Sequence, residues 1–525
     1  MKNLVLISLA IFSIYTSTAQ RVAVRWNEKY KAPEGLFLKS QFIKMVPTSE
    51  EVVIGICRKK NTSLFDNDYS LIKMNTKLDN TSEIKLDYPA NGSEGLIDVL
   101  KLNQTNFLLE YKINSNQIAE LSLTPINLKT FKKEISSKKI GEIADADKST
   151  LVEGNSRMYS ITMEAQYSPD SSKVLLNYDF KYQEGRSVQV MVLTNGGNLL
   201  YTSNNTWTEQ ADHLQINKPA IDNNGKVYFT YHHYSKSFDK EFEKGDGDAI
   251  PSYTSHLLVI DKENKSNQTI EPNGKFLYDM VLGYSKDQKP LIMGTYQDKF
   301  NGRINGVFIS PVIGSGTSLT DLAFTPYPAD LQEKLEFDME LKKSKPGFTH
   351  AFSASRGFSA NGTNFLVGEF NDRLLLENAI RIIKGDFIVT TFKSDGKAQF
   401  QSLPRSQNFA VGRNSNILTN ANTFTGTLLA DKLLVFYNDY EENAMQEFKE
   451  KPIKFEKDTK SVLMAAVISN EGKLLSRKNV FNHQDLEGYI FNFKLCPMKT
   501  STFAVYATEP ENEKDGMLAG MLLVK

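Results

Sequence analysis

Two adjacent histidines, His232 and His233, close an apolar run, Val227-Tyr228-Phe229-Thr230-Tyr231, and are the residues best suited to metal or proton chemistry. The run reads as a strand, and successive strand residues point to opposite faces. His232 should therefore share a face with Tyr228 and Thr230, and His233 with Phe229 and Tyr231. One metal ion can take both imidazoles only if the strand ends before them; otherwise one is buried and one sits at a rim. Tyr234 extends the same cluster. The loop that follows carries Asp246 and Asp248 between glycines. Alternate carboxylates suit calcium, which takes oxygen ligands, but the third acid and the closing Glu of a complete acidic loop are missing. Asp66/Asp68 and Asp145/Asp147 are equally incomplete and read as solvated turns. Calcium at Asp246 and Asp248 is thus the one cofactor expected as an option, and otherwise none is expected. Trp207 follows a polar stretch, Ser203-Asn204-Asn205-Thr206. In a connector it would stack on a sugar or anchor a partner, and its plain alternative is to plug a gap between sheets.

Other chemistries lack their parts. The chain has no Gly-x-Ser-x-Gly elbow, no Cys-x-x-Cys and no phosphate-cradling Gly-x-x-x-x-Gly-Lys. Paired carboxylates for glycoside cleavage meet in space rather than in sequence, so they stay open. The two cysteines, Cys57 and Cys496, could pair and staple the chain ends, or stand apart as buried thiols. The 62 basic and 62 acidic residues balance, which argues against a nucleic-acid partner or a polybasic membrane binder.

The elements that must position these residues are strands. A turn rich in Gly, Asn, Asp or Ser leads directly into an apolar strand at Ser168–Leu176, Asp222–Phe229 and Ser359–Val367, with a weaker copy at Ser285–Ile292. A second hairpin class, with turns near Gly196, Glu263, Asp395 and Glu471, alternates with the first. Gly314-Ser315-Gly316 stands where one more copy should be. Two alternating hairpins give four strands per unit. Units are expected near Leu36–Leu86, Leu96–Phe131, Met158–Tyr201, Leu214–Ile270, Phe276–Tyr327, Phe348–Leu403 and Ile417–Phe481. A three-stranded tail, Ile490–Val524, would be completed by the lone strand Val22–Trp26. The expected fold is all-β: a single β-propeller of about eight four-stranded blades, with seven as the alternative because the second unit is short. Its ring would be closed by the N-terminal strand joining the C-terminal blade. One short helical insertion, 329–344, is expected from the capping pattern Asp330-Leu331-Gln332-Glu333 and the spacing of Leu331, Leu335 and Met339.

Residues 1–19 read as a signal peptide. Lys2 is followed by a short apolar stretch, Leu4–Tyr15, and by small residues at Ser17-Thr18-Ala19, with cleavage before Gln20. The propeller domain would then be 20–525, exported to the periplasm or the exterior without a membrane span. The Ser168-Pro169-Asp170 hairpin with Val174-Leu175-Leu176 resembles the TolB-like propeller repeat, with Ser171 where that repeat prefers glycine. The whole chain, including the Thr18-Ala19-Gln20 leader end, is similar to exported propellers of Bacteroidetes-type bacteria. That resemblance implies a fold and a compartment and carries over no site residue. The expected function is a non-enzymatic module or scaffold binding a protein or glycan of the cell envelope. The alternative is a glycan hydrolase or lyase with acids in a central funnel.

Overall fold

The computed structural model describes residues 22–26, 40–48, 52–59, 69–75, 80–89, 92–143, 150–153, 156–159, 163–182, 185–208, 213–235, 242–243, 250–251, 253–298, 303–313, 318–332, 352–375, 379–393, 396–405, 407–412, 424–441, 461–482, 490–499, 502–508 and 517–524. Among them are eight antiparallel sheets built on four-strand cores. In chain order they span Ser40 to Leu86, Glu94 to Ile143, Glu164 to Trp207, Leu214 to Ile270, Phe276 to Pro326, Phe352 to Leu403 and Phe424 to Asn482. The eighth joins Ile490–Lys499, Thr502–Thr508 and Met517–Val524 to Val22–Trp26. Val22 pairs with Val524 and Trp26 with Gly520, so the two ends of the chain share one sheet.

Among the described residues, the central strands bury apolar residues on both faces, as strands between covering layers require. The strand Gly185–Thr194 is buried along nearly its whole length. Apolar clusters join each sheet to the next. Leu71 and Ile54 of the first sheet meet Val99 and Leu108 of the second. Leu109 and Leu121 of the second meet Val174 and Met191 of the third. The pattern repeats without a break to Leu434 and Leu463 of the seventh against Phe503 and Leu522 of the eighth. Ser40–Pro47 of the first sheet then packs beside Ile490–Lys499 of the eighth. This succession of four-stranded sheets, each packed face to face on its neighbour, is the architecture of a β-propeller.

The hairpin turns sit where the glycine and asparagine signals place them. Gly197, Gly225, Gly362, Gly396 and Gly472 all have φ between +75° and +90°. Ser171, at φ +59°, adopts the left-handed conformation without glycine's freedom. That conformation costs an L-residue about 1–2 kcal/mol, so Ser171→Gly should raise the unfolding free energy by about 0.5–1 kcal/mol in urea titrations.

Several expectations need correction. The second unit does not stop at Phe131 but continues through Lys132–Lys133 to Lys138–Ile143. The side chain of Asn127 caps a local reversal by accepting from the N–H groups of Lys129 and Thr130. The lysine-rich fourth strand buries only Ile140 and Ile143, so its alternation is faint. Met158 lies in a separate hairpin, Thr150–Glu153 with Ser156–Tyr159, and the third sheet begins at Glu164. Of the insertion 329–344, a single helical turn at 329–332 is described; the remainder lies outside the described residues, as do Gly314–Gly316 and residues 1–21. Cys57 and Cys496 are both free and buried, which removes the staple. Burial pushes both thiols up, Cys496 to about 12 against the pull of Lys101 and Lys44.

Candidate functional site at the loop-bearing end of the sheets

Antiparallel order places the first–second and third–fourth connections of each sheet at one end, and the second–third and sheet-to-sheet connections at the other. The longest intervening stretches, 144–163, 235–252, 327–351, 404–423 and 441–460, all belong to the second end. The first end is made mostly of tight turns tied to one another. Asp170 N–H donates to the Asn223 side chain at 3.1 Å, and Asn223 donates to Gln288. Tyr167 and Tyr284, each just before a Ser-x-Asp turn, send their hydroxyls back to Lys101 O (3.1 Å) and Ile221 O (2.9 Å) of the preceding sheet. One end is thus a laced base, and the other carries the loops on which sites are usually built.

The strand Val227–Tyr234 runs to the loop-bearing end, and its alternation separates the two histidines as expected. His232 is buried and His233 half-buried. His232 Nε2 lies 3.1 Å from Tyr278 O, and Nδ1 lies 3.0 Å from Ser255 Oγ. A carbonyl only accepts, so Nε2 carries the proton and Nδ1 accepts from the serine. Burial lowers the His232 pKa to about 4, against the hydrogen bond to Tyr278. His232 is therefore a neutral tie between the fourth and fifth sheets. Tyr253 packs on it at 4.5 Å between ring centroids and donates to Leu277 O at 2.7 Å. Tyr234, also buried, stands 5.2 Å from Tyr253 and donates to Gln215.

The opposite face carries a second aromatic group. Trp207 is the last residue of the strand Leu199–Trp207, not part of a connector, and meets Tyr231 edge-on at 5.5 Å. It packs on the cluster between the third and fourth sheets and is half-buried there. Tyr231 in turn stacks on His256 at 5.0 Å, and His256 lies 6.4 Å from His233. Arg186 closes the rim with a bidentate pair to Asp179 and a bond to Leu214 O. Asp246 and Asp248 lie outside the described residues.

Two further groups at this end escaped the sequence reading. Asp279, on the first strand of the fifth sheet, accepts from Ala354 N–H (2.9 Å), Thr295 Oγ (2.9 Å) and Ser353 Oγ (3.4 Å) of neighbouring strands. Burial raises its carboxyl to about 6, with those hydrogen bonds pulling the other way. Arg405, buried where the sixth sheet gains its extra strand Gln407–Gly412, donates to Glu369 Oε2 (3.0 Å) and Gly385 O (2.9 Å) and lies 4.0 Å over the Phe387 ring. Its own N–H donates to Asp386. Beside it, Arg477 joins Tyr437, Pro404 O and Asp439. A charge inside an apolar run was the available signal, as in Leu277-Tyr278-Asp279-Met280 and Val367-Gly368-Glu369-Phe370.

No protein-family model and no curated protein matches the chain. Among solved structures it is similar to the WD40 domain of SCAP from fission yeast, at 7% identity over 96% of this chain and 98% of that one, TM-score 0.37. It is similar to the β-propeller domain of the Trilobed protease from Pyrococcus furiosus, at 9% identity over 86% and 98%, TM-score 0.32. It is also similar to the α-L-arabinanase of Penicillium chrysogenum, at 10% identity over 73% and 98%, TM-score 0.30. Identities this low concern fold alone, and no ligand or reaction passes from these proteins to this chain.

Proposed function

We propose that the eight sheets are the blades of one closed propeller, formed by residues 20–525 after loss of the leader, and that the protein is an exported binding module. Its loop-bearing end would hold a protein or glycan of the cell envelope. The observation that carries this reading is the asymmetry of the two ends: tight, laced turns on one, and all of the longest excursions on the other. Pairing of Val22–Trp26 with Met517–Val524 supports closure, because it leaves the last sheet four-stranded and its outer strand supplied from the chain's other end. The groups at the loop-bearing end are mostly tied to one another, as in Arg186–Asp179 and Arg405–Glu369, which suits a rigid platform. No described helix is long and apolar enough to cross a membrane.

Photo-reactive residues at Asn116 and Ser235, at the loop-bearing end, should capture an envelope component that the same probe at Asn470 or Glu471 does not. Equal capture from both ends would remove the reading. A glycan hydrolase or lyase is the second reading, favoured by Asp279, whose raised carboxyl stands on a first strand among neighbouring hydroxyls. New reducing ends released from envelope glycans by the native protein and lost in Asp279→Asn would favour it over the binding module.

A further inference from the structure

The geometry points to a two-imidazole site for a divalent transition metal ion, formed by His233 and His256 at the loop-bearing end of the fourth sheet. It depends neither on closure of the ring nor on the envelope partner. The sequence places His232 beside His233, but the strand alternation sends His232 to the far face. Register supplies the partner instead. Val227–Tyr234 pairs antiparallel with Tyr253–Asp261, setting Tyr231 opposite His256 and His233 opposite Thr254. His233 and His256 are therefore diagonal neighbours on one face, within reach of long side chains.

Two observations suit an ion of the copper or nickel kind. The ring centroids are 6.4 Å apart at an interplanar angle of 52°. Two imidazoles on one ion through bonds of about 2.0–2.1 Å place their centroids about 5 Å apart at a tetrahedral angle and about 6.4 Å apart when trans, so this spacing suits the tetragonal geometry of copper(II) or nickel(II). Next, His256 Nδ1 is shielded from solvent and has no hydrogen-bond partner. Nε2 of the same ring lies 2.7 Å from Thr254 Oγ1. With Nε2–H donating to that hydroxyl, Nδ1 keeps its lone pair. Metal-bound histidines are held in this way, with the second ring nitrogen donating to a fixed acceptor. Tyr231, stacked on His256, and Trp207, edge-on to Tyr231, hold the ring in place. Imidazole ligands favour copper, nickel and zinc over calcium or magnesium.

Copper(II) chloride titrated into the untagged protein at pH 7.5 should quench Trp207 fluorescence saturably with one equivalent. His233→Gln and His256→Gln should each weaken that binding about tenfold or more. Trp207→Phe should abolish most of the quenching while calorimetry still records the ion. Quenching that never saturates, or an unchanged affinity in folded His256→Gln, would overturn the site. If a variant fails to fold, pulsed electron paramagnetic resonance of the wild type with one equivalent of copper decides. Modulation from two imidazoles supports the pair, and modulation from one or none refutes it.

Discussion

Arg405→Ala should lower the unfolding free energy by about 3–5 kcal/mol, the cost of removing one partner from a buried ion pair. The arginine is almost wholly buried, and its head group satisfies the Glu369 carboxylate and the carbonyls of Gly385 and Phe370. Ser402 and the Arg405 N–H both hold Asp386. Truncation would strand the Glu369 carboxylate, while Asp386 keeps Ser402 and the main-chain N–H of residue 405. The damage should also be local. Gly385 and Asp386 separate the part of Ala379–Phe392 that pairs with Gln407–Gly412 from the part that pairs with Ala398–Leu403. Arg405 sits opposite that break and joins the two halves. Guanidinium titration should report the global loss, and amide exchange should report faster opening of the arm formed by 371–375, 379–384 and 407–412. Adding Glu369→Gln to Arg405→Met should recover part of the loss, because it removes the stranded charge. A loss below about 1 kcal/mol would mean that the arginine is not the pin of the arm.

A second large effect is hidden in the wild type and emerges on mutation. Two titrating groups act on the same short segment, Tyr278-Asp279, with opposite sign. His232 holds the Tyr278 carbonyl from the fourth sheet, and Asp279 holds the Ala354 N–H of the sixth. The folded pKa of His232 is depressed from 6.5 to about 4, so the unfolded chain takes up the proton first as pH falls. Its contribution is complete above pH 6.5 and is lost on descending to about 4. Asp279 is raised from 3.8 to about 6, so the unfolded chain loses its proton first as pH rises. Its contribution is greatest below 3.8 and is lost on ascending to about 6. Each is worth about 3 kcal/mol over its window, and between about pH 4 and 6 the two slopes nearly cancel. The other groups facing them are Tyr253, Tyr234 and His256 around the histidine, and Tyr327 near the aspartate. Asp279→Asn should therefore show stability rising with pH from 4 to 6.5, and His232→Gln should show it falling. Two variants whose curves run parallel to the wild type would show that the segment is not so balanced.

Much of the architecture was legible because hairpin chemistry is local. Turns at Asn224-Gly225, Asn361-Gly362 and Glu471-Gly472 demanded positive φ, and the structure places it there. The alternation that separates His232 from His233 was equally local. What needed register was hidden. His256 is 23 positions from His233, across the excursion 235–252, and only the pairing of two strands brings them together. The fourth strand of the second sheet was missed because its outward lysines mask two buried isoleucines. Trp207 looked like a connector residue because its neighbours Ser203 to Thr206 are all polar, as the outer strand of a sheet allows. Arg405 gave no warning, since the two acids that hold it, Glu369 and Asp386, come from different stretches of the chain.

The central claim is that the chain's two ends meet in one sheet. Native-state hydrogen exchange on residues 22–26 and 517–524 tests it most directly. The amides that bond across the pairs from Val22–Val524 to Trp26–Gly520 should exchange together, slowly, and only with global unfolding. Exchange of 22–26 at the rate of an unstructured peptide, while 502–508 stays protected, would contradict it.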